Sequence, residues 1–145
     1  MTRGYERVVV DTYAWVELFA GSEKGKAVKR VLSEAEELYT PDIVLAELAR
    51  KYAREGLRED VIRARLKLIE RLSTLVSINV EIASLVARAY QRLVENSRRR
   101  GLKAKPSLAD AVILAIAWHL RARVLTGDKH FERLDENNMD RMMHV

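Results

Sequence analysis

Short runs with strand character alternate with helix-periodic stretches along the chain, and this alternation constrains the fold more than any other feature. Val8-Val9-Val10 is a β-branched run without helical spacing, as expected of a strand covered on both faces. Leu38–Thr40, which stops at Pro41, Leu75–Ile78 and Ala122–Thr126 are further strand candidates, with Met142–Val145 as a candidate edge strand. Between them Thr12–Ala20, Ser22–Glu36, Asp42–Glu55, Glu59–Leu72 and Val80–Arg98 read as helices. In Asp42–Glu55, Val44, Leu45, Leu48, Ala49 and Tyr52 share one face while Glu47, Arg50, Lys51 and Arg54 share the other. Ser107 opens a helix, Leu108–Trp118, that is apolar almost all round and therefore belongs in the core. Gly127-Asp128 then turns into a short helix through about Leu134. The alternation predicts a three-layer α/β/α sandwich around a mostly parallel central sheet of four to five strands.

A chain of 145 residues suits one domain, expected to span 1–145. With 48% hydrophobic residues and only 6 Gly and 2 Pro, the composition excludes a disordered or low-complexity chain. The absence of cysteine excludes disulfides and thiolate metal sites, zinc ribbons included. The N-terminus lacks the apolar core of a secretory signal. The longest near-apolar run, Leu108–Trp118, is too short for a bilayer core of about 30 Å and contains Asp110. A soluble cytoplasmic protein is expected. The net charge of +5 favours an anionic partner such as nucleic acid.

The acids carry the chemistry. Asp11 falls at the carboxyl end of the first strand and Asp128 just past that of the Ala122–Thr126 strand, the edge of an open parallel sheet where ligands bind. If these strands are neighbours, a spacing of about 4.8 Å brings the two carboxylates together. Asp110 begins the most apolar helix, where an ionised group is costly without compensation. Clustered carboxylates either take up protons or share a cation, and an all-oxygen donor set suits Mg²⁺ or Mn²⁺. Each acid also has a plainer explanation. Asp11 and Asp128 could cap the helices that follow them, and Asp110 could complete a capping box begun by Ser107. Glu47 could be a solvated side chain on a charged helix face. From the residues alone, both sets of explanations stand open.

Four segments resemble, in order and spacing, the PIN-domain nucleases, and especially the VapC-like toxins of toxin-antitoxin pairs. They are Val8-Val9-Val10-Asp11-Thr12, Pro41-Asp42-Ile43-Val44-Leu45-Ala46-Glu47-Leu48, Ser107-Leu108-Ala109-Asp110-Ala111 and Val124-Leu125-Thr126-Gly127-Asp128-Lys129-His130-Phe131. The resemblance implies a PIN-like fold and a Mg²⁺- or Mn²⁺-dependent endoribonuclease that leaves a 5′-phosphate. It implies that Asp11, Glu47, Asp110 and Asp128 form the metal cluster, with Thr126, and also Thr12, as supporting hydroxyls. It further implies a homodimer and a VapB-like antitoxin. One departure is His130, where many relatives carry a further acid; a surface histidine on a short helix is the preferred reading. Arg98, Arg99, Arg100, Lys103 and Lys105 precede Ser107 and are candidates for gripping RNA phosphates, or for complementing the end of a helix dipole. Tyr13, Trp15 and Phe19 are assigned to core or subunit packing ahead of base stacking.

Other classes remain in play. A haloacid-dehalogenase-type phosphohydrolase also begins with a strand ending in Asp, but Tyr13 stands where its second Asp belongs. The others are a PIN nuclease that processes RNA without being a toxin, and a noncatalytic RNA- or protein-binding module, against which the four intact acids argue.

Overall fold

The computed structural model describes residues 6–132, 134 and 142–145. Five strands, β1 (Arg7–Val10), β2 (Glu37–Pro41), β3 (Thr74–Val76), β4 (Arg123–Thr126) and β5 (Met142–His144), form one sheet in the order β3-β2-β1-β4-β5. Every pairing is parallel. Among the described residues six α-helices flank it: α1 (Thr12–Ala20), α2 (Glu23–Glu34), α3 (Asp42–Arg54), α4 (Glu59–Leu72), α5 (Val80–Arg99) and α6 (Leu108–Leu120). This is the expected α/β architecture, with the candidate edge strand completing the sheet. No described helix is long and apolar enough to cross a membrane.

The β-branched run of β1 occupies the centre of the sheet, and Val8, Val9 and Val10 have no exposed surface. Covered on both faces, such a strand needs no polar alternation. Helix α6 is buried along Ala111–Ala117, and each fully buried Ile or Leu there contributes about 1.5–3 kcal/mol of transfer free energy. Trp15 is also fully buried; it stacks on Phe19 with centroids 6.2 Å apart and donates its indole N–H to Thr40 Oγ1 at 3.2 Å. Core packing is thus what the described chain asks of this aromatic.

The register places the two acid-bearing strand ends side by side. Val10 pairs with Leu125, and the Asp11 N–H donates to the Leu125 carbonyl at 3.2 Å. Asp11 and Thr126 therefore leave neighbouring strands at the same level, as strand adjacency requires. At the far end of α5, Gly101 takes φ +66, and the Leu102 N–H reaches back to the Ser97 carbonyl at 2.9 Å. This is a glycine helix stop.

Two details differ from expectation. The third strand begins at Thr74 and ends at Val76, so Ile78 lies beyond it and is 43% exposed. After Asp128 the described residues form a 3-10 turn over Lys129–Phe131. Part of the helix expected through Leu134 lies outside the described residues.

Candidate active site

Three of the predicted acids are held by the ends of helices. Asp11 is the N-cap of α1, its Oδ1 accepting the Ala14 N–H at 2.8 Å. Asp110 closes a reciprocal capping box: its N–H donates to Ser107 Oγ at 3.0 Å while its Oδ2 accepts the Ser107 N–H at 2.9 Å. Asp128 caps the 3-10 turn, its Oδ1 accepting the His130 N–H at 2.8 Å. The capping explanation is correct for all three, yet it does not compete with a functional one. A cap uses one carboxylate oxygen and fixes the side chain, which leaves the group oriented for a second task.

The carboxylates also sense one another. Asp11 is only 3% exposed. Burial pushes its carboxyl up to about 7, and the charges of Asp128 and Asp110 act in the same direction. Hydrogen bonds from Thr126 and the Ala14 N–H oppose this and fall short. The Asp110 carboxyl is likewise raised, first by burial and then by Asp128, against the Ser107 bonds and His130. Such crowding is the electrostatic condition in which carboxylates take up protons or recruit a cation.

Thr126 links the cluster. Its hydroxyl bonds Asp11 and accepts the Asp128 N–H at 2.9 Å, so one buried side chain orients both strand-end acids. Gly127 sits between Thr126 and Asp128 because a Cβ there would meet the Tyr13 ring at 2.2 Å. Glu47 comes from α3 and accepts from Thr12 Oγ1 at 2.6 Å. Thr12 thus draws it to the residue beside Asp11, and a half-buried Glu replaces the solvated one its helix face suggested.

His130 is where the sequence reading needs correction. It is not a surface histidine: it is 8% exposed. Asp110, Asp128 and His130 each offer one ligand atom within 4.8 Å of the others. The His130 Nδ1 lies 2.9 Å from Asp128 Oδ1 and 4.0 Å from Asp110 Oδ2. The signal available in the sequence was its spacing, two residues after Asp128, which a tight turn folds back onto the carboxylate.

The chemistry of the donors fits a hard divalent cation. Carboxylate oxygens dominate, at least one carboxyl is proton-hungry because of burial and like charge, and the group lies where the carboxyl ends of β1 and β4 meet the N-terminus of α6. The PIN domain family model matches residues 8–137, a span containing all of these groups. The chain belongs to the PIN domain family.

Relatives of this PIN chain agree. It is 28% identical over 127 residues to ribonuclease VapC3 of Pyrobaculum aerophilum, covering 85% of this chain and 90% of that protein. Among solved structures it is similar to VapBC2 of Rickettsia felis bound to a promoter DNA fragment, with TM-score 0.67, 15% identity and 96% and 98% of the two chains covered. It is also similar to VapBC-5 of Mycobacterium tuberculosis, with TM-score 0.64, 20% identity and the same coverage. At these identities the solved structures establish a shared fold.

The basic residues expected around this PIN site divide into two groups. Arg98, Arg99, Lys103 and Lys105 are exposed. Arg100 turns inward, donating to the Lys129 carbonyl and to the Glu132 carboxylate. It braces the turn that carries Asp128 and His130.

Proposed function

We propose that this chain is a Mg²⁺- or Mn²⁺-dependent endoribonuclease and the toxin of a VapBC-type pair. The observation that carries the reading is Asp11, buried and pushed up to about 7 next to Asp110 and Asp128, at the carboxyl edge of a PIN sheet. Asp11, Glu47, Asp110 and Asp128 are the residues proposed to hold the ion. A bound divalent ion supplies Lewis-acid charge to an attacking water and to the phosphodiester. The chain's own contribution is preorganisation. Helix caps fix three carboxylates, Thr126 couples Asp11 to Asp128, and Thr12 holds Glu47. Hydrolysis adds water to phosphorus and expels the 3′-oxygen, leaving a 5′-phosphate.

RNA is the proposed substrate, with exposed Arg98, Arg99, Lys103 and Lys105 gripping its phosphates. A VapB-like antitoxin and a second copy of the chain complete the proposed partners. The first has support in the naming of VapBC relatives and in an apolar groove of about 750 Å³ lined by Leu18, Phe19, Leu32, Leu68 and Leu72. The test is cleavage of a total-RNA pool with 5′-end mapping. Wild type should cut in Mg²⁺ and not in chelator, and Asp128→Asn should stay folded and lose at least about 100-fold, a typical loss of an essential electrostatic contact. Undiminished cleavage by folded Asp128→Asn would refute the assignment.

A further inference from the structure

His130 makes two contacts that the proposed cleavage has not used. Its side chain is 10% exposed, with Nδ1 2.9 Å from Asp128 Oδ1. Nε2 lies 3.0 Å from the Ala104 carbonyl oxygen. Carboxylate and carbonyl oxygens only accept, so a ring N–H facing either one fills that contact. The ring's backbone is equally constrained. The buried Asn96 donates from Nδ2 to the His130 carbonyl at 3.3 Å and to the Glu132 carbonyl at 2.8 Å, and Arg100 grips the same turn at Lys129 and Glu132.

Ala104 lies in the connection between α5 and α6, flanked by Lys103 and Lys105 and leading directly into the Ser107–Asp110 capping box. The ring thus lies between the β4 end bearing Asp128 and the basic connection before Asp110, a contact that adds to those Asn96 and Arg100 already make with the same turn. We infer that His130 is a positioning residue, holding the Asp128 carboxylate for the ion and tying it to the Ala104 carbonyl so that basic connection and acidic centre keep one geometry. The role rests on the nuclease reading. Partners that orient a metal-ligating carboxylate typically govern about 10–100-fold in metal affinity or activity.

Three substitutions separate the two bonds. In His130→Asn the amide nitrogen falls near the place of Nδ1 and keeps the Asp128 bond; in His130→Gln it falls near Nε2 and keeps the Ala104 bond; His130→Ala has neither. Each is followed by Mn²⁺ affinity from calorimetry, kcat and KM on an RNA oligonucleotide, and urea unfolding in chelator. Ala and Gln should each lower Mn²⁺ affinity and kcat by about 10–100-fold, while Asn restores most of both. KM should rise in Ala and Asn, which lack the Ala104 bond, and stay near wild type in Gln. An Ala variant with wild-type Mn²⁺ affinity and kcat overturns the inference, as do three variants impaired equally and in proportion to lost stability, which would mean packing alone. A wild type that neither binds Mn²⁺ nor cuts RNA overturns the functional reading and this role with it. A wild type that does both alongside a normal Ala variant overturns only the role of His130.

Discussion

Replacing Asp11 with Asn should make the ion-free protein more stable, although it removes a residue of the proposed site. The folded protein raises this carboxyl from 3.8 to about 7. At about 1.36 kcal/mol per pKa unit, charging Asp11 therefore costs the fold about 4 kcal/mol. The direction follows from linkage. Because the folded pKa lies above the unfolded one, the favourable contribution is complete below 3.8 and is lost as pH rises through about 7. Asparagine cannot ionise, and its carbonyl can still accept the Ala14 N–H that caps α1. In chelator at pH 8, Asp11→Asn should exceed wild type by as much as about 4 kcal/mol, or roughly 10 °C in Tm for a domain of this size. The gap should narrow through pH 6 and close near pH 4. Asp110, also raised by burial, adds to the decline of both proteins and largely cancels in their difference. Urea unfolding of both proteins at pH 4, 6, 7 and 8 reads this directly. A stability difference that does not change with pH, or a wild type more stable than the variant at pH 8, would refute the electrostatic description of the site.

Other outcomes follow from the same contacts. Thr126→Val removes a bond that lowers the Asp11 pKa, so the pH at which ion-free stability declines should move upward, and RNA cleavage should fall about 10–100-fold; an unmoved pH midpoint would exclude the bridging role. Gly25→Ala places a Cβ 2.1 Å from the Glu17 carbonyl oxygen, forcing α1 and α2 apart at a cost of about 1–3 kcal/mol or more in urea unfolding. Replacing Arg98, Arg99 and Lys103 with Gln should flatten the salt dependence of RNA binding by about 2 in log–log slope, at about 0.7 per phosphate contact with single strands; an unchanged slope would show that these residues do not touch RNA.

The parts of this site that were legible in the sequence are those fixed by local chemistry. A β-branched triplet can only be a covered strand, and an apolar helix interrupted by Asp110 at its start demands an explanation for that charge. Strand adjacency, on which the meeting of Asp11 and Asp128 depends, is a condition that alternation alone does not supply, and the register of β1 and β4 meets it. Glu47 carried no local mark, because its significance lies in a bond to Thr12 across 35 residues. His130 shows its contact with Asp128 in its spacing, but not its burial. Its partner Ala104 lies 26 residues away and contributes a backbone carbonyl, which leaves no trace in residue identity. Arg100 looked like its neighbours in a basic run, and only the fold distinguishes the one cation that turns inward to Glu132.

Calorimetric titration of the ion-stripped protein with Mn²⁺ at pH 7, repeated in buffers of different ionisation enthalpy, tests the account where it is most exposed. With Asp11 near its midpoint at that pH, saturable binding should expel about half a proton from this carboxyl, and both the binding and the proton release should be severely reduced in Asp11→Asn. Absence of saturable binding, or binding of equal strength in that variant, would contradict the proposal that these clustered acids are built to hold a divalent ion.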